Sequence, residues 1–274
     1  MKNEFPIGVF DSGYGGLTVL KEIVKELPQY DFIYLGDNAR APYGNRSFET
    51  VYEYTLECVN HLFNMGCRLV ILACNTASAK ALRTIQQNDL HKIDPSRRVL
   101  GVIRPTSEIV GTLTKTNEVG IFATSGTIHS ESYLIEIKKF FPGVKVFQEA
   151  CPMWVPLVEN NEFDNPGADY FIQQHIHNLL TRSASIDAII LGCTHYPLLL
   201  KKIKKYLPDH INVIAQGDII AKSLSDYLQR HPEMDKNCSK NSNLQFFTTD
   251  STSLFDAQAE IFFGQKVRSV FLHL

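Results

Sequence analysis

The 274-residue sequence predicts an α/β protein built as two similar lobes, each a mainly parallel sheet flanked by helices. Three observations predict it. Short runs rich in Val, Ile, Leu and Phe alternate with longer stretches whose apolar residues recur at three and four, the period of an amphipathic helix. The short runs are apolar throughout rather than at every second residue, as in strands covered on both faces. Finally, two pairs of segments echo each other at nearly equal separation. GVFDSG at 8–13 matches GIFATSG at 120–126, with Gly8 and Gly120 112 residues apart. LVILACNTASA at 69–79 matches AIILGCTHYPL at 188–198, with Cys74 and Cys193 119 apart.

Along the chain, PIGVF (6–10) reads as the first strand and GLTVLKEIVKELP (16–28) as the first helix. DFIYL (31–35) is the next strand, followed by the helical pattern SFETVYEYTLECVNHLFNMG (47–66). LVILA (69–73) and VLGVI (99–103) complete the strands of the first half. EVGIF (118–122), VKVF (144–147), AIILG (188–192) and NVIA (212–215) make those of the second. IIAKSLSDYLQRH (219–231) is a helix expected to pack back onto the first lobe, and the polar DKNCSKNSN (235–243) reads as a surface loop. The repeat puts the division near Leu100, with residues 1–99 plus 213–274 forming the first lobe and 100–212 the second.

With 44% apolar and 20% charged residues and a formal net charge of -2, the composition is that of a folded globular protein, not a disordered or polyanion-binding one. No basic field points to nucleic acid. The first residues, MKNEFPIGVFDSG, lack a charged-then-apolar signal pattern, and no run approaches the roughly 18 apolar residues of a membrane span, so a cytoplasmic location without membrane attachment is expected. Six cysteines without regular close spacing read as free thiols in a reducing compartment. Oligomeric state is not legible, a homodimer being one assembly open to the chain.

In parallel α/β sheets, ligands bind beyond the carboxyl ends of strands, where helix N-termini present free N–H groups. Asp11, Ser12, Cys74, Asn75, Thr76, Cys193, Thr194 and His195 all fall there, an arrangement suited to a small anionic substrate. A single strand-end cysteine is more often a small buried apolar residue than a reagent, and that reading serves for Cys58, Cys67, Cys151 and Cys238. Cys74 and Cys193 differ because each is followed by polar residues in a matched setting. Helix N-termini and the neighbouring His195 supply means of activating a thiol, and Asp11 is placed to exchange a proton with Cys74. A metal site of Cys74, Cys193 and His195 stays open as an alternative, although the close C-x2-4-C pairs of structural zinc are missing. So does a Cys–His hydrolase, which leaves the second matched cysteine without a role. Asp11–Ser12 also fits a simple helix cap, Tyr43–Gly44 a tight turn, and Glu159 a surface charge.

Taken together, GVFDSGYGGLTVL, YLGDNARAPYG, ILACNTASA, IFATSGTI, CPMWVPLVE and LGCTHYPLL, in this order from residue 8 to 199, resemble the glutamate racemases of the cofactor-independent aspartate/glutamate racemase superfamily. FFTTDSTSLFDAQAEIFFG (246–264) is similar to the family's C-terminal segment. The resemblance implies two lobes related by a pseudo-twofold axis with the active site between them. It also implies interconversion of L- and D-glutamate without pyridoxal phosphate or metal, supplying D-glutamate for peptidoglycan. By the same resemblance Cys74 and Cys193 are the two acid/base groups, Asp11 and His195 assist them, and Glu159 is a further candidate assistant. Asp11, Ser12, Tyr43, Gly44, Asn75, Thr76, Thr194 and His195 match positions that hold the substrate. Two rivals remain: an aspartate racemase, and a binding protein that keeps the cleft without turnover. One departure stands out, since VIAQGDIIA (213–221) lacks the Asp-Ser/Thr that many relatives carry there.

Overall fold

The computed structural model describes residues 5–274. Among them are ten strands: β1 (Ile7–Asp11), β2 (Phe32–Gly36), β3 (Leu69–Leu72), β4 (Arg98–Gly101), β5 (Glu118–Ala123), β6 (Lys145–Ala150), β7 (Ala188–Gly192), β8 (Asn212–Ile214), β9 (Leu244–Thr248) and β10 (Ser269–Phe271). They form two sheets of parallel strands, ordered β10-β9-β2-β1-β3-β4 and β6-β5-β7-β8. The order β2-β1-β3-β4 in the first sheet is repeated as β6-β5-β7-β8 in the second. β1 therefore corresponds to β5, and β3, which leads to Cys74, corresponds to β7, which leads to Cys193. All eight expected strands form.

The continuous apolarity has the expected cause. β1, β2, β3 and β7 are buried along their whole length, with helices against both faces, whereas the edge strands β4, β6 and β8 are partly exposed. The largest core cluster joins the two sheets, bringing Val9 and Leu20 together with Phe122, Trp154, Ile189 and Leu224. The helix Gly217–Arg230 contributes Leu224 and Leu228 to that cluster and packs along the helix Leu17–Glu26. The two sheets thus share one core instead of being joined by a bare hinge.

Two features differ from the sequence reading. β9 and β10 extend the first sheet beyond β2, although LQFFT and SVF are short and only partly buried, so neither carries a continuous apolar signature. The stretch 235–243 is not a free surface loop. Cys238 and Ser239 are buried, the loop bridges to Phe5, and Asp31 accepts hydrogen bonds from the main chain of Asn241 and Asn243 at 2.9 and 2.8 Å. Four main-chain and side-chain donors on one carboxylate offset the cost of covering that polar segment. Among the described residues no helix is long and apolar enough to cross a membrane.

Candidate active site

Asp11 ends β1 and is fully buried, with Oδ2 accepting the Gly13 N–H at 2.9 Å and Oδ1 without a protein partner. Burial holds its carboxyl above the usual range, against the lowering effect of the His195 charge. The loop that follows needs glycine for contact reasons. A Cβ on Gly16 would stand 2.5 Å from Asp11 Cβ, and one on Gly15 would overlap Thr194 Oγ1 and the His195 ring. Gly15 thereby lets the mouth of the first sheet seat against the mouth of the second. Thr18 Oγ1 fastens the contact by donating to the Thr194 carbonyl at 2.9 Å.

Cys74 is the N-cap of the helix Asn75–Lys80, and its sulfur takes the place usually held by a Ser, Thr or Asp oxygen, accepting the Ala77 N–H at 3.4 Å. Ser12 Oγ lies 3.4 Å from the same sulfur. Burial, then the charge of Asp11, push the thiol up to about 12, so it is protonated at neutral pH. Asp11 acts on it through space, since the polar contacts made to this sulfur come from Ser12 and Ala77.

Cys193 follows β7 and leads into the short 3-10 helix Tyr196–Leu199 without capping it. Its sulfur faces His195 Nδ1 at 3.9 Å, and His195 Nε2 lies 3.0 Å from Glu159 Oε1. Burial pulls the imidazole down, but hydrogen bonds and charges of Cys193 and Glu159 outweigh it and raise His195 to about 10. At neutral pH the ring is an imidazolium between a carboxylate and a sulfur. Glu159 is set by the helix Trp154–Glu159, which is anchored by fully buried Trp154 against Phe122, Tyr196 and His175 with ring centroids 4.9, 4.8 and 5.9 Å away. The pattern of partners is asymmetric: a cap and a hydroxyl for Cys74, a His–carboxylate pair for Cys193.

Both cysteines line one cavity of about 100 Å³ between the sheets, far below the ~300–1,000 Å³ of drug-sized sites, so its occupant is small. The wall includes Ser12, Tyr43, Gly44, Asn75, Thr76, Thr194, His195 and Glu159 and, among the described residues, no lysine or arginine. Asp11 lies behind this wall and is not part of it. The Tyr43 hydroxyl donates to buried Asp37, which also binds Arg40 Nε at 2.7 Å and Thr249 Oγ1 at 2.9 Å, so the phenol's hydrogen is committed to a protein acceptor. Gly44 approaches the other lobe, its carbonyl accepting the Gly126 N–H at 2.7 Å.

Thr124 and Ser125 also line the cavity, and sequence reasoning did not single them out. Thr124 Oγ1 caps the helix Ser125–His129 and meets Thr76 Oγ1 from the first lobe at 2.9 Å. The echo of GVFDSG in GIFATSG was the signal: it puts a hydroxyl-bearing turn at the mouth of β5 equivalent to Asp11–Ser12 at the mouth of β1. The other cysteines stay structural. Burial pushes Cys67 up to about 12 and Cys58 and Cys151 upward as well. His175 is a satisfied core residue, with Nδ1 2.8 Å from Glu149 Oε1. Among the described residues no group of three or more His, Cys, Asp or Glu is disposed to hold a metal ion.

Residues 7–224 match the model of the Asp/Glu/hydantoin racemase family. The chain is 40% identical over 265 residues to a glutamate racemase of Geobacter metallireducens, covering 97% of this chain and 95% of that one. Among solved structures it is similar to glutamate racemase isoform RacE1 of Bacillus anthracis, with a TM-score of 0.90 at 36% identity over 100% of this chain and 99% of that one. It is also similar to the glutamate racemase of Francisella tularensis in complex with D-glutamate, with a TM-score of 0.87 at 31% identity over 98% of each chain.

Proposed function

The chain belongs to the Asp/Glu/hydantoin racemase family, and from that premise we propose that its two strand-end cysteines interconvert L- and D-glutamate by transferring the α-proton between them. It is an amino-acid racemase, an isomerase. The observation that carries the two-cysteine reading is the repeat made spatial: equivalent ends of β3 and β7 bring Cys74 and Cys193 to one cavity from different sheets. Inversion needs a base on one face of the α-carbon and an acid on the other, because a single group tends to return the proton to the face it left.

Mechanistically, the two sulfurs stand in different settings: burial and the charge of Asp11 keep the proton on Cys74, while Cys193 faces the imidazolium of His195. Glutamate whose α-hydrogen faces Cys193 gives that proton to its sulfur, and Cys74 delivers one to the opposite face. The reverse reaction exchanges the roles. The growing carbanion is held by hydroxyl and N–H donors of Ser12, Thr76 and Thr194, each such donor supplying roughly 3–4 kcal/mol when preorganised. Closure of the lobes around this small cavity would exclude water from the reacting carbon, so opening and closing accompany turnover.

We place the enzyme in the cytoplasm, where its D-glutamate supplies peptidoglycan synthesis. The test is incubation of extensively dialysed protein with each glutamate enantiomer and, separately, each aspartate enantiomer in D2O. Loss of optical rotation with α-deuterium incorporation for glutamate supports the reading, while exchange confined to aspartate moves the substrate. Binding without exchange contradicts it.

A further inference from the structure

The departure at VIAQGDIIA puts Gln216 at a buried position where three parts of the chain meet, and its side chain is committed. Gln216 Nε2 lies 3.3 Å from the Val102 carbonyl, 2.9 Å from Thr106 Oγ1 and 2.8 Å from Tyr133 Oη. A carbonyl can only accept, so Val102 identifies this atom as the amide nitrogen and fixes which way the side chain points. One of its two hydrogens then reaches the Tyr133 hydroxyl. Having accepted from Gln216, that hydroxyl directs its single hydrogen onward to Asn75 Oδ1 at 2.7 Å. Gln216, Tyr133 and Asn75 are all buried, so no solvent competes for these hydrogens.

The polarity passes one step further. With Oδ1 occupied, Asn75 is left with Nδ2, which has no protein partner although it is fully buried, and Asn75 lines the cavity between the cysteines. An unpaired buried amide nitrogen costs about 1–3 kcal/mol unless a ligand takes it up. We propose that Gln216 and Tyr133 are positioning residues that lock the Asn75 amide with its nitrogen toward the cavity, making it a donor to a substrate carboxylate. This rests on the amino-acid racemase reading above. Among the described residues the cavity wall has no lysine or arginine, so apart from the His195 imidazolium recognition of a carboxylate falls to neutral donors, and reversing one of them would set an amide oxygen against the anion. Tyr133 comes from the second lobe and Asn75 from the first, so the lock is complete only when the lobes are together.

The test compares Tyr133→Phe and Gln216→Met with the wild type, measuring kcat and KM for both glutamate enantiomers, and repeats both substitutions in an Asn75→Ala background. The expected result is a rise in KM of about tenfold in both directions, with kcat changed less than about threefold, as for loss of one oriented hydrogen bond. In the Asn75→Ala background the same substitutions should leave KM unchanged, because the amide they orient is gone. A generally loosened core would raise KM equally in both backgrounds and overturn the proposal, as would a wild-type KM in Tyr133→Phe or, should that variant fail to fold, in Gln216→Met. If the wild type itself fails to racemise glutamate, the underlying activity is refuted instead.

Discussion

Replacing Glu159 with glutamine removes the carboxylate that sits 3.0 Å from His195 Nε2 while keeping a side chain of the same shape. A hydrogen bond to a charged group contributes roughly 1.5–3 kcal/mol, and one pKa unit corresponds to about 1.36 kcal/mol. The imidazole, held at about 10 in the wild type, should therefore fall by about one to two units in Glu159→Gln. The assay is a titration of the His195 ring by 15N NMR alongside the pH dependence of kcat/KM for each enantiomer. The imidazolium is the group that faces the Cys193 sulfur at 3.9 Å, so the alkaline limb of activity should move down with the ring, by about the same one to two units. The sign for stability is the same. His195 is raised above its ordinary 6.5, so its pairing contributes fully below 6.5 and is lost as pH rises through about 10, and the variant loses it earlier. A His195 midpoint unchanged by the substitution would show that Glu159 does not set the ring's charge, and the role of the His195–Glu159 pair in assisting Cys193 would lose its support.

Cys74→Ser and Cys193→Ser should each lower racemisation by at least about 100- to 10,000-fold, while keeping one-way elimination from a glutamate analogue with a leaving group; racemisation near the wild-type rate in either variant contradicts two-base inversion. Gly15→Ala puts a methyl group into Thr194 and His195, which should cost about 1–3 kcal/mol of stability by denaturant unfolding and lower kcat, because the two strand mouths can no longer seat. Trp154→Ala should cost about 3–5 kcal/mol and loosen the helix carrying Glu159, seen as a lower Tm together with a weakened alkaline shift of His195.

Much of this architecture was legible because its physics is local or repeated. Continuous apolar runs marked the strands buried on both faces, and the doubled strand–cysteine sentence marked the equivalence of β3 and β7. β9 and β10 were not legible, since a short strand at a half-exposed edge needs little apolar residue to pair. The candidate site residues could be gathered from strand ends and motifs, but their partners could not. That Glu159 would meet His195 rather than solvent, that Cys74 would cap its own helix, and that the Tyr43 hydroxyl would be taken by Asp37 depend on how lobes and loops seat in three dimensions. Gln216 is the sharpest case: in sequence it is only a departure, and its meaning lies in the Val102 carbonyl 114 residues away.

The most direct test of the account is a crystal structure with D- or L-glutamate bound, read for the positions of the two sulfurs about the α-carbon. Cys74 Sγ and Cys193 Sγ should lie on opposite faces of it, each at roughly 3–3.5 Å, the range of a near-attack geometry. Both sulfurs on one face, or glutamate held in a site that only one of them reaches, would contradict it.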